Sequence, residues 1–135
     1  MTSSGLLIHL KRMCLVAGWI VLLSGCSSKP DLDAVPQQWQ GLDVRLESRP
    51  SPPAPGMNEF LVILTDQGGQ PVWNCIINIR TADADPWKQA IQDGREGVYR
   101  RAALLGEGER SILQVKIKRG DTESILRFPL NLAAP

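Results

Sequence analysis

The chain has 135 residues, with 15 lysines and arginines against 14 aspartates and glutamates, and a formal net charge of +1. This length leaves room for one domain. Residues 1–25 hold Lys11 and Arg12 but no acidic side chain, so their removal leaves 13 basic against 14 acidic residues and a net charge of −1. This balance excludes a strongly basic nucleic-acid-binding surface, and we expect no nucleic-acid partner.

The first 25 residues have the pattern of an export signal. Lys11 and Arg12 precede an uncharged stretch at 13–26, "MCLVAGWIVLLSGC". This stretch is shorter than the roughly 20 apolar residues that cross a bilayer as a helix, and it has the length of a signal-peptide apolar region. We therefore predict a signal peptide over residues 1–25.

A short motif at the end of this segment carries a family resemblance. Leu23-Ser24-Gly25-Cys26 resembles the lipobox of bacterial lipoproteins. The resemblance implies cleavage before Cys26 and attachment of acyl chains to this residue, which anchor the protein to a membrane. Ser27 and Ser28 follow at positions where an aspartate favours retention in the inner membrane, so we expect the outer membrane, with the domain facing the periplasm.

Residues 26–40 have the composition of a lipidated tether. The stretch at 27–40, "SSKPDLDAVPQQWQ", is polar, contains two prolines and has little periodicity, which is typical of a linker. Within it, Trp39 either extends with the tether or packs on the edge of the domain. The domain itself is predicted to cover residues 41–135.

From residue 41 onward, short runs with strand character alternate with turn signals. Leu42, Val44 and Leu46 alternate with charged residues, which is the period of a half-buried strand. Another run places Trp73 and Cys75 on a predicted core-facing side. The predicted strands cover residues 42–48, 58–65, 72–81, 98–105, 111–119 and 124–132. About six to seven strands without a sustained helical period predict an all-β sandwich.

The segment at 82–97 interrupts this series of strands. Asp85 has the chemistry of a helix cap, with Pro86 at the first helical position and Gly94 at the end, so we expect one or two helical turns here. Trp87 is the largest apolar side chain of the segment. It either docks a partner, because loops on a rigid scaffold often carry binding function, or folds back to cap the open end of the core.

Basic residues surround the single tyrosine of the chain. Arg95 and Arg101 lie close to Tyr99 in sequence, and strand alternation puts Tyr99 and Arg101 on one face. This group, which also includes Arg100, either binds an acidic partner or belongs to an ordinary polar outer face.

Turn motifs along the domain carry a second resemblance. They are Pro55-Gly56 with Asn58, Asp66 with Pro71-Val72, and Gly97 with Tyr99. Together they resemble the FixH/YtkA-like group of periplasmic immunoglobulin-like domains. The resemblance implies an immunoglobulin-like sandwich and an accessory role in the envelope, often around metal handling or the biogenesis of respiratory complexes.

The chemistry of the exported part points away from catalysis. After residue 26 it has no histidine, one methionine (Met57) and one free cysteine (Cys75), which we expect in the core. We therefore predict no enzyme activity, no metal site and no cofactor. The first hypothesis is a non-catalytic, protein-binding or assembly accessory factor of the envelope. The alternative is a copper- or metal-handling accessory protein, although residues 83–93 lack the methionine and histidine that such relatives supply there.

Overall fold

Strands make up all the regular structure in the residues that the computed structural model describes, 32–107 and 111–133. Over these residues no helix is long and apolar enough to cross a membrane. The strands are β1 (Gln37–Trp39), β2 (Leu42–Arg49), β3 (Gly56–Asp66), β4 (Ile76–Arg80), β5 (Lys88–Gln89), β6 (Ile91–Asp93), β7 (Val98–Leu105), β8 (Ile112–Arg119) and β9 (Thr122–Pro129).

These strands form two antiparallel sheets. The first has the order β1-β2-β3-β7-β6 and the second has the order β5-β4-β8-β9. When the short β1 and β5 are set aside, the orders match the ABED and CFG sheets of an immunoglobulin domain. The predicted all-β, immunoglobulin-like sandwich is therefore confirmed. The six long strands correspond to the six predicted ones, and three short strands at sheet edges raise the described number to nine.

Alternation along the strands builds a core between the sheets. In β2, every second residue from Leu42 is buried. In the central strand β3 the apolar run is nearly continuous, so one set of side chains enters the core while Leu61 and Ile63 lie on the outer face. The largest fully buried apolar side chains are Tyr99, Phe60, Phe128, Leu64, Ile77, Ile79, Leu113 and Ile117.

The predicted tether is wrong over residues 32–40, which belong to the domain. Ala34 and Trp39 are buried in the core, and β1 pairs with β2. The buried Asp33 carboxylate accepts hydrogen bonds from the Ser48 backbone N–H at 2.6 Å, the Ser48 hydroxyl at 3.0 Å and the Ser51 hydroxyl at 2.7 Å. Hydrogen bonds of this kind leave no periodic pattern of apolar residues in the sequence, so the sequence of this segment resembles that of a linker. The predicted signal peptide at 1–25, Cys26 and the rest of the tether lie outside the described residues.

The helical turns predicted after Asp85 are also wrong. Two short edge strands, β5 and β6, occupy this segment, and they belong to different sheets. Ala90 lies between them, is buried, and donates its backbone N–H to the Ile77 carbonyl at 2.8 Å. Pairing with neighbouring strands therefore outweighs the local capping signals.

The prediction that Trp73 lies in the core is wrong. The backbone N–H of Val72 donates to the Leu64 carbonyl at 3.0 Å, which holds the chain against β3, and β4 begins only at Ile76. Trp73 therefore lies in a connection, where strand alternation does not apply, and its side chain is 43% exposed. Cys75 is buried as predicted.

Local turn chemistry explains two of the motifs quoted above. The Asn58 side chain donates to the carbonyls of Ala54 and Gly56 at 2.7 and 2.9 Å and accepts from the Ala54 N–H at 3.1 Å. The Asp66 carboxylate accepts from the backbone N–H groups of Gly68 and Gln70, both at 2.9 Å. Each side chain therefore replaces missing backbone partners in a turn.

Candidate functional site

Trp87 lies on the outer face of the second sheet, where two cations contact its ring. The Arg80 guanidinium carbon is 4.3 Å from the ring centroid and the Lys116 ammonium nitrogen is 4.8 Å from it. Both distances are within the range of cation–π attraction. Trp87 is half-buried in this arrangement. It therefore does not cap the open end of the core.

The sheet register explains why these three side chains meet. In β4 the buried Ile77 and Ile79 alternate with outward residues, of which Arg80 is one. In β8, Lys116 is paired with Asn78 and likewise faces outward. The pairing of Lys88 with Ile79 brings β5 alongside β4, which places the preceding residue, Trp87, beside Arg80.

A hydrogen-bond network holds the Arg80 side chain in this arrangement. Gln114, which is buried, donates its side-chain N–H to the Asp83 carboxylate at 2.6 Å. Arg80 donates to the Gln114 side-chain oxygen at 3.0 and 3.1 Å and to Asp83 through both its carboxylate and its backbone carbonyl. We call Trp87, Arg80, Lys116, Gln114 and Asp83 the Trp87 cluster.

The charges of the Trp87 cluster are unequal. The hydrogen bond from Gln114 lowers the pKa of the Asp83 carboxyl, and the nearby Arg127 and Arg80 lower it further, so Asp83 is a stable anion. Asp83 partly neutralises Arg80 through an ion pair at 3.2 Å. Among the described residues, no carboxylate lies within ion-pair distance of Lys116. The cluster therefore presents a free cation beside an aromatic ring.

A groove runs alongside the loop that carries Trp87. Its volume is about 570 Å³, and its walls include Thr81, Pro86, Lys88, Leu104 and Ile112. The Thr81 hydroxyl lies 2.9 Å from both the Asp85 carboxylate and the Leu104 carbonyl, which ties the loop to the end of β7. Apolar side chains and charged ones, including the carboxylates of Asp85 and Glu107, thus line a concave surface next to the Trp87 cluster.

Arg95, another predicted partner-binding residue, lies elsewhere. Its guanidinium carbon is 4.8 Å from the ring centroid of Trp73, at the end of the sandwich where the β3–β4 and β6–β7 connections meet. The two side chains form a second exposed cation–aromatic pair. Nothing in the described residues joins this pair to the Trp87 cluster.

The prediction that Tyr99 contacts a partner is wrong, because its side chain is only 1% exposed. Its hydroxyl accepts from the Cys75 backbone N–H and donates to the Val72 carbonyl, both at 3.2 Å. Burial raises the pKa of Tyr99 and that of the Cys75 thiol. Both groups are therefore neutral at ordinary pH, and the thiol is a poor nucleophile.

Arg101 lies in β7, one residue beyond the part of this strand that pairs with β6. It is half-buried and paired with the core residue Phe60, so it shares the inward side of the strand. Together with Glu59, Ile91 and Arg100 it lines a shallow cleft of about 510 Å³. The structure therefore does not bring Arg101 together with Trp87 or Arg95, and the four predicted partner-binding residues occupy four different surroundings.

The described residues do not form a cluster of metal ligands. Over these residues, no group of three or more histidine, cysteine, aspartate or glutamate side chains is close enough to hold an ion. The residues that sequence reasoning missed are Arg80, Gln114 and Lys116. Their outward positions followed from alternation, but their convergence on Trp87 depended on strand pairing far apart in sequence.

Comparison with protein families, with curated proteins and with solved structures finds no match to this chain.

Proposed function

We propose that this protein is a lipid-anchored, non-catalytic binding module of the bacterial cell envelope. In this proposal residues 1–25 direct export, and acylated Cys26 holds the domain on the outer membrane, facing the periplasm. The domain acts as an assembly or accessory factor by binding another envelope protein through the Trp87 cluster.

The observation that carries the binding proposal is the position of Trp87. A tryptophan that serves only packing is normally placed in the core, whereas this ring lies on a rigid sheet face with cations against it. Tryptophan and arginine are enriched among the residues that dominate binding energy at protein interfaces. The network through Gln114 and Asp83 orders the Arg80 side chain against the Trp87 ring in advance, which lowers the entropic cost of binding.

The charges of the cluster favour an acidic partner surface. Lys116 has no carboxylate partner among residues 32–107 and 111–133, so it can pair with one from outside, and the adjacent groove offers Pro86 and Ile112 as apolar contacts. Charge complementarity of this kind contributes mainly to specificity and to the association rate. The partner is therefore expected to carry a carboxylate close to an apolar side chain.

Photo-crosslinking in living cells tests this proposal. A benzophenone side chain at Gln89, which pairs with Asn78 on the same outer face, is expected to crosslink one envelope protein. Lys116→Glu and Trp87→Ala should each abolish this crosslink. Arg45→Glu is the matched control, because it makes the same charge change at an exposed position of the other sheet.

The result that would overturn the proposal is equally specific. A crosslink that persists in both Lys116→Glu and Trp87→Ala places the binding surface elsewhere. A crosslink lost to the same extent in Arg45→Glu reflects net charge and not this site. Melting temperatures of all variants separate lost binding from lost folding.

A further inference from the structure

The folded domain begins closer to Cys26 than the sequence pattern indicates. Leu32 is already held in place, because the Asn131 side-chain N–H donates to its carbonyl at 2.8 Å. Five residues, 27–31, separate Cys26 from Leu32. The chain gains at most about 3.6 Å per residue, so these two positions are never more than about 22 Å apart.

Leu32 lies at one particular end of the sandwich. The Asn131 N–H donates to the Asp33 carbonyl and the Ala133 N–H donates to the Pro53 carbonyl, both at 2.8 Å. These contacts gather three segments, residues 32–35, 50–55 and 130–133, which we call the proximal end. The connection at 81–87, which carries Trp87, leaves the second sheet at the same end. The turns at the other end of the same strands, at 66–71, 94–97 and 120–121, form the distal end.

The proximal end exposes aliphatic side chains. Leu32 is 49% exposed and Val35 is 71% exposed. Met57, at the start of β3, is 65% exposed. The turns of the distal end are rich in glycine and polar residues. The exposed hydrophobic residues near them are Trp73, which Arg95 covers in part, and Ile76, which is 48% exposed.

We propose that the proximal end rests on the surface of the phospholipid bilayer, with Leu32 and Val35 in contact with lipid. The proposal rests on the proposed acylation of Cys26, which fixes where the chain meets the membrane. The short connection keeps the proximal end near the headgroups, and aliphatic side chains bind the boundary between headgroups and acyl chains. The distal end then points into the periplasm, and the Trp87 cluster faces sideways.

Fluorescence quenching with the full-length, lipidated protein tests this orientation. The protein is reconstituted in vesicles of phosphatidylethanolamine and phosphatidylglycerol that include lipids with a quencher on the upper acyl chain. In a Cys75→Ala background, a fluorophore is attached at Val35→Cys or, as the matched distal control, at Gln70→Cys; both positions are exposed. We expect the label at position 35 to be quenched several-fold more than the label at position 70.

Equal quenching at the two positions, or stronger quenching at position 70, would overturn the proposed orientation. Acyl incorporation at Cys26, measured by mass spectrometry on the same samples, separates the two proposals. If Cys26 is acylated and quenching is equal, the orientation is wrong and the anchor stands. If Cys26 is not acylated, both are wrong. If Val35→Cys lowers the melting temperature, Leu32→Cys provides the same measurement at the neighbouring exposed position.

Discussion

Gly97 lies where three backbone segments meet, at the start of β7. Its carbonyl accepts the Leu64 N–H at 2.8 Å, and the Leu64 carbonyl accepts the Val72 N–H at 3.0 Å. The backbone of Gly97 has a φ of +71°, and a Cβ atom there would lie 2.5 Å from the Leu64 carbonyl oxygen and 2.9 Å from the Val72 nitrogen. Only glycine fits both this conformation and this contact.

Gly97→Ala is therefore expected to destabilise the domain by roughly 3 kcal/mol, because left-handed strain and a backbone clash add together. Urea unfolding measures this loss. Gly94→Ala is the matched control: Gly94 also has a positive φ of +55°, but no atom lies within 4 Å of its added Cβ. It should cost only about 1–2 kcal/mol. Equal losses in the two variants would contradict the role of close backbone contact.

The aromatic residues illustrate how much of the site a residue-level interpretation can capture. The Gly97–Tyr99 pattern marked the start of a strand, but the inward position of Tyr99 follows from its pairing with Val62 in the core. Trp87 is recognisable from the sequence as the largest apolar side chain of its segment. Its surroundings were not predictable, because Arg80 precedes it by seven positions and Lys116 follows it by 29.

At the scale of elements, alternation predicted the long strands well and the edges poorly. The strand predicted for 98–105 and the observed β7 coincide, since one face of each long strand is buried. The edge strands β1, β5 and β6 have only two or three residues each, too few for a period to be recognised. Their positions are set by hydrogen bonds to neighbours, so local capping signals were misleading around Asp85.

The variant Asp33→Ala tests whether the segment before β1 is part of the domain. Asp33→Ala removes a buried carboxylate and leaves the buried Ser48 N–H without its partner, so we expect a loss of about 2–3 kcal/mol. Asp43→Ala serves as control, because the Asp43 carboxylate accepts an exposed hydrogen bond from the Gln38 side chain. The loss of this bond should cost less than about 0.5 kcal/mol. Guanidinium unfolding of both variants measures the difference. An unchanged midpoint of guanidinium unfolding for Asp33→Ala would mean that this segment is part of the tether and does not stabilise the domain.

At the scale of the whole molecule, the proposed lipid-anchored form sets a limit on how far the domain extends from the membrane, because the connection to Cys26 is short. The eleven residues of β3, the longest of the described strands, span about 36 Å. Added to the connection of at most about 22 Å, this length keeps the strands of the domain within about 60 Å of the bilayer in that form. In the proposed anchored form, a partner of the Trp87 cluster is therefore expected to bind within this distance of the same membrane.

Two contributions favour the proposed orientation: the short connection to Cys26 and the contact of aliphatic side chains with lipid. Lengthening the connection separates them. Leu32, Val35 and Met57 are only partly exposed, and a full burial of such side chains contributes about 1.5–3 kcal/mol each, so together they bind a bilayer weakly without help from the tether. Insertion of about 20 glycine and serine residues after Pro30 adds a coil of roughly 25 Å and lowers the effective concentration of the proximal end at the membrane. We expect the quenching of a label at Val35→Cys to fall toward that at Gln70→Cys, with no change in melting temperature. Quenching that stays at its original level in the lengthened protein would mean that the aliphatic side chains, and not the short connection, determine the orientation.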